Sequence, residues 1–228
     1  RASIYNEDML FQEFGIDAEI MIDHAWGLEP CGMAEIKAYK PSTNSLSEGQ
    51  VLAEPYPYDK ARIIVAEMAD SLVFQLTDKN LVTDGLTLDV GYDRENCDKG
   101  SYRGPVHIDH YGRSVPKGAH GSTHLGNPSN LGSTIVTAAV ELFDQIANRS
   151  LTVRRITIAA NRVVQDEGVY QFDLFSDVEK LEKEKTLQKA LLGIKKKYGK
   201  NAILKGTNFL DGATMRERNK QIGGHKES

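Results

Sequence analysis

Gln171-Phe172-Asp173-Leu174-Phe175 sets two adjacent apolar side chains a short way after an amide that both donates and accepts hydrogen bonds. In an extended segment, that combination suits docking on another protein, with Gln171, Asp173, Leu174 and Phe175 as the contact residues. Burying each apolar anchor would contribute about 1.5–3 kcal/mol before ordering costs. Arg154 and Arg155 form a second feature, two adjacent guanidinium groups. By themselves they describe a solvated surface as readily as a phosphate contact. His107, His110, His120 and His124 form a third. Their spacings of three and four would suit a metal site on a helix, but the stretch reads as strand and loop. No Cys or acid completes a tetrahedral set, so no metal site is expected. Ser, His and Asp are all present without a Gly-x-Ser-x-Gly elbow, so no nucleophilic triad is expected either.

Bulk composition narrows the field. The 228 residues suffice for one sizeable domain or two small ones, and 40% apolar with 26% charged residues is ordinary for a soluble chain. No apolar run is long enough to span a membrane. The start has neither an initiator Met nor an apolar signal region, and reads as a piece of a longer cytoplasmic chain. Cys31 and Cys97 lack CxxC spacing, which argues against both a disulfide scaffold and a zinc knuckle. The net charge of -4 is unevenly spread: residues 1–44 carry -5, residues 45–170 carry -4 and residues 171–228 carry +5. Only local basic strips before residue 171 suit a polyanion.

The elements that must position these groups follow from periodicity. Residues 6–27 read as two short helices joined at Gly15, with Asn6 and Asp17 as caps and Met9, Leu10, Phe14, Ile20 and Met21 as an apolar face. Trp26 is expected to pack within this part. Such a pair can aim backbone N–H groups at a phosphate. Pro30 and Pro41 bracket a connector. Ser45–Ala53 then reads as a strand. Pro57 and Asp59 open a helix carrying Ala61, Ile64, Val65, Met68, Leu72 and Leu76. Leu81–Tyr92 alternates as a strand, with Leu86, Leu88 and Val90 on one face. Val106 and Ile108 begin another, partnered by the Gly-, Ser- and His-rich stretch Arg113–Leu125. Asn130 or Ser133 starts a second helix with Ile135, Ala139, Leu142, Phe143 and Ile146. Val153–Val164 is the last strand, with Ile156, Ile158 and Ala160 opposite Arg155 and Thr157. The fold class is α+β, in the order β-α-β-β-α-β: a four-stranded sheet with two helices on one face and the other face open. Val178–Tyr198 is a charged helix with a thin stripe of Leu181, Leu187, Leu191 and Ile194, and the remainder has no clear period. That remainder is expected to be partly ordered at best.

Four segments, in this order and spacing, resemble the C-terminal half of a Y-family (DinB/UmuC-type) translesion DNA polymerase, in its Gram-positive UmuC-like branch. Phe14-Gly15-Ile16 through His24-Ala25-Trp26-Gly27 is similar to the end of the thumb, and Lys40-Pro41 to Ser47 to the linker entering the little finger. Val153-Arg154-Arg155-Ile156 is similar to that domain's last strand, and Gln171–Phe175 to the sliding-clamp motif that follows it. The resemblance implies a thumb fragment over 1–40, a little-finger DNA-binding domain over 41–170, a clamp peptide at 171–175 and a basic helical tail over 176–228.

What the resemblance implies for function is grip and docking, in DNA damage repair and the SOS response. The little finger would hold template-primer DNA through phosphates without reading sequence. Arg154 and Arg155 match the family's paired arginines; Ser45 and Ser47 lie at the domain entry; Arg113, Lys117, Ser122, His124 and Arg162 are further DNA-binding candidates. The clamp would take Gln171, Asp173, Leu174 and Phe175. Other repair-complex proteins are possible partners, and a nucleoid-associated place in the cytoplasm is implied. The family's Mg²⁺-binding carboxylates lie in a palm domain upstream; this chain has no Tyr-x-Asp-Asp or Ser-x-Asp-Glu motif, so no catalytic residue and no cofactor are assigned to it. Two other classes fit part of the pattern. A β-α-β-β-α-β order also describes single-stranded RNA modules, which need paired aromatics on central strands. A clamp-binding regulatory or scaffold protein would need only the pentapeptide.

Overall fold

The computed structural model describes residues 7–15, 17–29, 31–39, 44–98, 102–109, 111–168, 178–222 and 225–226. The chain divides into two units, Arg1–Thr43 and Asn44–Ser228.

The first unit holds three short helices: α1 (Glu7–Phe14), α2 (Asp17–Ala25) and α3 (Met33–Ala38). Gly15 ends α1 in the left-handed region at φ +55°, and its N–H returns to the Phe11 carbonyl at 2.9 Å. Asn6 lies outside the described residues. The connector between the two prolines contains α3, which periodicity had not indicated. Ala18 is the only buried residue among those described here. Trp26 is 59% exposed, contrary to its expected packing role, because helices of six to nine residues enclose almost nothing.

The second unit is built on an antiparallel sheet of order β1-β6-β2-β5: β1 (Leu46–Tyr56), β2 (Leu81–Tyr92), β5 (Ala119–Ser129) and β6 (Val153–Asn161). A short strand, β7 (Val164–Gln165), pairs with the start of β2. Helices α4 (Tyr58–Asp78) and α6 (Gly132–Ile146) pack on one face, α4 over β1, β6 and β2, α6 over β5 and β2. The core is the one periodicity indicates: Ala61, Ile64, Val65, Met68, Leu72, Leu76, Leu86, Leu88, Val90, Ile135, Ala139, Phe143, Ile156, Ile158 and Ala160 are all buried.

Two expectations change. Val106 and Ile108 do not start the third strand of this sheet. They form β3 (Val106–Ile108), paired only with β4 (Ser114–Pro116) in a separate hairpin, and both are exposed. Just before that hairpin lies the four-residue helix α5 (Glu95–Asp98). The strand that pairs with β2 is the Gly-, Ser- and His-rich β5. Its Gly121 is needed because a Cβ there would lie 2.8 Å from Ile146 and 3.1 Å from Leu142 of α6. Neither Asn130 nor Ser133 caps α6. Its first N–H groups are taken instead by side chains of α7 (Val178–Tyr198): Gly132 N donates to Gln188 Oε1 at 3.1 Å and Ser133 N to Glu184 Oε1 at 2.7 Å.

Helix α7 and the segment after it pack against α4 as a third layer, rather than trailing away partly ordered. Leu187 and Ile194 of the expected stripe are exposed at 59% and 37%. The packed face instead runs through Leu181, Glu184, Lys185, Gln188, Leu191, Leu192 and Lys195, so more than half of it is polar. Lys185 pairs with Asp166 at 3.0 Å, and Gln188 donates to the Asn130 carbonyl at 2.7 Å. Beyond a short 3-10 turn (Gly206–Phe209), helix α8 (Met215–Arg218) leads to the pair β8 (Gln221–Ile222) and β9 (His225–Lys226). The anchor of this segment is Glu67 of α4, 2% exposed. Its carboxylate accepts from Asn208 Nδ2 at 2.8 Å, Thr214 N at 2.8 Å and Met215 N at 3.0 Å.

Candidate nucleic-acid interface

The face of the sheet opposite α4 and α6 is set by alternation. Strand β1 contributes Ser47, Gly49 and Val51; β6 contributes Arg155, Thr157, Ala159 and Asn161; β2 contributes Gly85, Thr87, Asp89 and Gly91; β5 contributes His120, Ser122 and His124. One row across the sheet reads Ser47, Ala159, Thr87, Ser122, and the next reads Gly49, Thr157, Asp89, His120. Small and hydroxyl-bearing residues dominate, so the surface is low and hydrogen-bonding.

The arginines lie where this surface has glycines. Gly91 stands opposite Arg155, and a Cβ at Gly91 would come within 3.3 Å of the Arg155 Cβ. At the other end Arg162, just past β6 at φ +47°, lays its guanidinium over Gly85, where a Cβ would come within 2.8 Å of Nη2. Arg162 Nε pairs with Asp84 at 2.7 Å and Nη2 meets His124 Nδ1 at 2.9 Å. Six residues of strand separate Arg155 from Asn161, so the two cationic ends are about 20 Å apart. Asp89 in the middle is met by His120 Nδ1 at 2.7 Å.

Four of the residues expected to bind DNA therefore share one face: Ser47, Ser122, His124 and Arg155. Arg162 joins them from its edge, and Ser45 lies exposed just ahead of β1. Arg154 is partly committed elsewhere. Val153 and Ile156 both point inward, so the two residues between them occupy an irregularity in the strand. Arg154 Nη1 donates to the Ala53 carbonyl at 2.9 Å, and its Nε lies 3.7 Å from Asp93. Arg113 is off the face, in the β3–β4 hairpin. It pairs with Asp109 at 2.7 Å and lies 4.7 Å above the Tyr111 ring. The Arg113 guanidinium holds the Asp109 carboxyl at about 2. Lys117 follows the same hairpin and is exposed. Gln171, Asp173, Leu174 and Phe175 lie outside the described residues.

Residue-by-residue reading missed Thr87, Asp89, His120, Thr157 and the paired glycines. The signal was present: alternate residues from 85 to 91 read Gly, Thr, Asp, Gly, opposite the apolar Leu86, Leu88 and Val90. Among the described residues no group of His, Cys, Asp and Glu is arranged to hold a metal ion. No helix among them is long and apolar enough to cross a membrane.

The chain is 24% identical over 221 residues to the "Putative UV-damage repair protein UvrX" of Bacillus subtilis (strain 168), covering 96% of this chain and 47% of that protein. It is 22% identical over 216 residues to "DNA polymerase IV 2" of Halalkalibacterium halodurans, covering 93% and 46%. The chain thus spans about half the length of these curated relatives. Among solved structures it is similar to a chain of the "Complex of beta-clamp processivity factor and little finger domain of PolIV", with a TM-score of 0.36 and 10% identity over 58% of this chain and 99% of that one. The model of the impB/mucB/samB family C-terminal domain matches residues 43–174. That match covers more than half of the residues, so the chain belongs to the impB/mucB/samB family, through its C-terminal domain.

Proposed function

We propose that this chain is the DNA-holding and clamp-docking portion of a translesion DNA polymerase, with the open sheet face as the surface that grips template-primer. The observation that carries the reading is the low, small-residue face bounded by Arg155, paired across strands with Gly91, and by Arg162, whose guanidinium lies over Gly85. A flat surface lets phosphates approach backbone and hydroxyl groups closely, and the guanidinium groups at either end neutralise them. Contact with phosphates alone suits a damaged template, whose base shapes carry no reliable information. Among the described residues the open face of the two central strands carries no aromatic ring, and Tyr92 points inward and is buried. That disfavours the single-stranded RNA reading, which depends on stacking. Mg²⁺-dependent nucleotidyl transfer is assigned to a palm domain outside the region spanned here. No cofactor is assigned to this chain, and its place of action is DNA.

The test is fluorescence anisotropy with a labelled template-primer across a salt series. Arg155→Ala should weaken binding and reduce the salt slope by about one unit. Unchanged affinity and slope would remove the face from the reading. Clamp docking rests on the pentapeptide and is tested separately. The chain should bind a purified bacterial sliding clamp, and changing Gln171, Leu174 and Phe175 together to Ala should abolish that binding. A folded chain that does not bind would confine the function to DNA.

A further inference from the structure

Between α4, the C-terminal half of α7 and the segment that follows lies a half-open cavity of about 710 Å³. Its walls are mainly apolar, from Phe74, Leu191, Leu192, Ile203, Leu204 and Met215. Protein interiors leave few voids larger than a water molecule, whereas ligand sites of several hundred Å³ recur where layers meet. The cavity is lined by α4, α7, the segment after α7 and Glu48 of β1, and nothing in the DNA-binding reading uses it.

Its charges do not cancel evenly. Three carboxylates line it, and each has partners. Asp78 pairs with Lys196, and Asp70 with Lys205 at 2.6 Å. Glu48 accepts from Ser71 Oγ at 2.5 Å and from Gln75 Nε2; its second oxygen is buried with no hydrogen-bond partner among the described residues and has Arg218 3.9 Å away. Two lysines remain. Lys200 is exposed at the rim. Lys195 places its ammonium 4.9 Å from the centre of the Phe74 ring and donates to the Lys200 carbonyl at 3.1 Å. An ammonium has three donors, and among the described residues no carboxylate is within ion-pair distance of this one. Burial pushes the Lys195 amine down from its ordinary value, against the attraction of the Asp70 carboxylate, which is itself paired with Lys205.

We propose that this cavity binds an amphiphilic organic anion, its carboxylate on Lys195 and its apolar body against Phe74, Leu191, Leu192 and Leu204. The requirement is a single anionic head beside an apolar body. Cationic amphiphiles should be rejected by Lys195, and inorganic anions have nothing to fill the apolar space. The proposal stands independently of DNA or clamp binding.

The test is a titration of the ¹⁵N-labelled chain with octanoate, octylammonium and octan-1-ol, followed by amide chemical shifts. Octanoate should give saturable shifts confined to residues around Phe74, Leu191–Lys195 and Ile203–Lys205, with octylammonium giving none there. Lys195→Met should weaken octanoate about tenfold or more, the size expected for losing a charged hydrogen bond, and leave octan-1-ol unchanged. Leu192→Trp, which fills the space, should abolish binding of both. Absence of saturable shifts in a folded chain would overturn the proposal. So would equal binding of octylammonium, or octanoate affinity unaffected by Lys195→Met.

Discussion

The two sides of the second unit solve opposite problems with similar side chains. On the open sheet face, Ser47, Thr87, Thr157, Ser122 and Arg155 point outward from a scaffold complete beneath them. On the outer side of α4, Glu67, Asp70 and Asp78 are met by donors from residues more than a hundred positions later. The C-terminal part carries +5, and part of that charge is spent on this acidic helix face. Net charge along a chain is therefore a poor guide to where a polyanion binds. Several cations of the basic segment are paired with carboxylates of this unit, while the region before it, net negative, presents Arg155 opposite Gly91 and Arg162 over Gly85.

The largest effect is expected at Glu67. Glu67→Ala would orphan Asn208 Nδ2 and the Thr214 and Met215 N–H groups, costing about 2–4 kcal/mol for the network. The expected readout is a lower urea midpoint, with hydrogen exchange of residues 205–220 rising first and DNA affinity little changed. A matching fall in DNA binding would mean that the two sides are not separate. The next test acts on the open face. Ala159→Phe raises a ring from the middle of the row and should reduce template-primer affinity several-fold, with the thermal midpoint shifted only slightly. Normal affinity would show that the low profile of the face is unnecessary.

A smaller effect concerns acid. The Arg62 guanidinium, helped by the Tyr58 hydroxyl at 2.5 Å, holds the Asp144 carboxyl below its ordinary range. A carboxyl depressed in the folded state contributes stability that is fully present above its unfolded value, near 3.9, and lost as pH falls through the folded value. Arg62→Met should therefore lower stability at pH 7 and flatten the decline below pH 4. Chemical denaturation at pH 7 and pH 3 measures this, and parallel curves for the two proteins would refute it.

Much of the sheet and both of its covering helices were legible, because apolar alternation and helical spacing are what buried faces require. Leu86, Leu88 and Val90 against Ile156, Ile158 and Ala160 leave little choice of register. The site was half legible. Arg155, Ser47, Ser122 and His124 could be listed, but only cross-strand register shows that they share a face. Strand β5 was obscured because its outward residues are polar and its inward Gly121 answers to Ile146 and Leu142. The third layer was hidden for a different reason. Its contacts run through Glu184, Gln188, Lys205, Asn208 and Thr214, residues that periodicity treats as solvent-facing.

The long reach of Glu67 has a consequence for how the protein is made. Its donors lie 141 to 148 positions further along the chain. Every strand of the main sheet and both covering helices have left the ribosome before Asn208 is added. At that stage the outer side of α4 shows water the carboxylates of Glu67, Asp70 and Asp78 beside the Phe74 ring, so little apolar surface waits uncovered on this helix. Docking of the last segment is then a late closing step, separable in time from formation of the surface proposed to hold DNA.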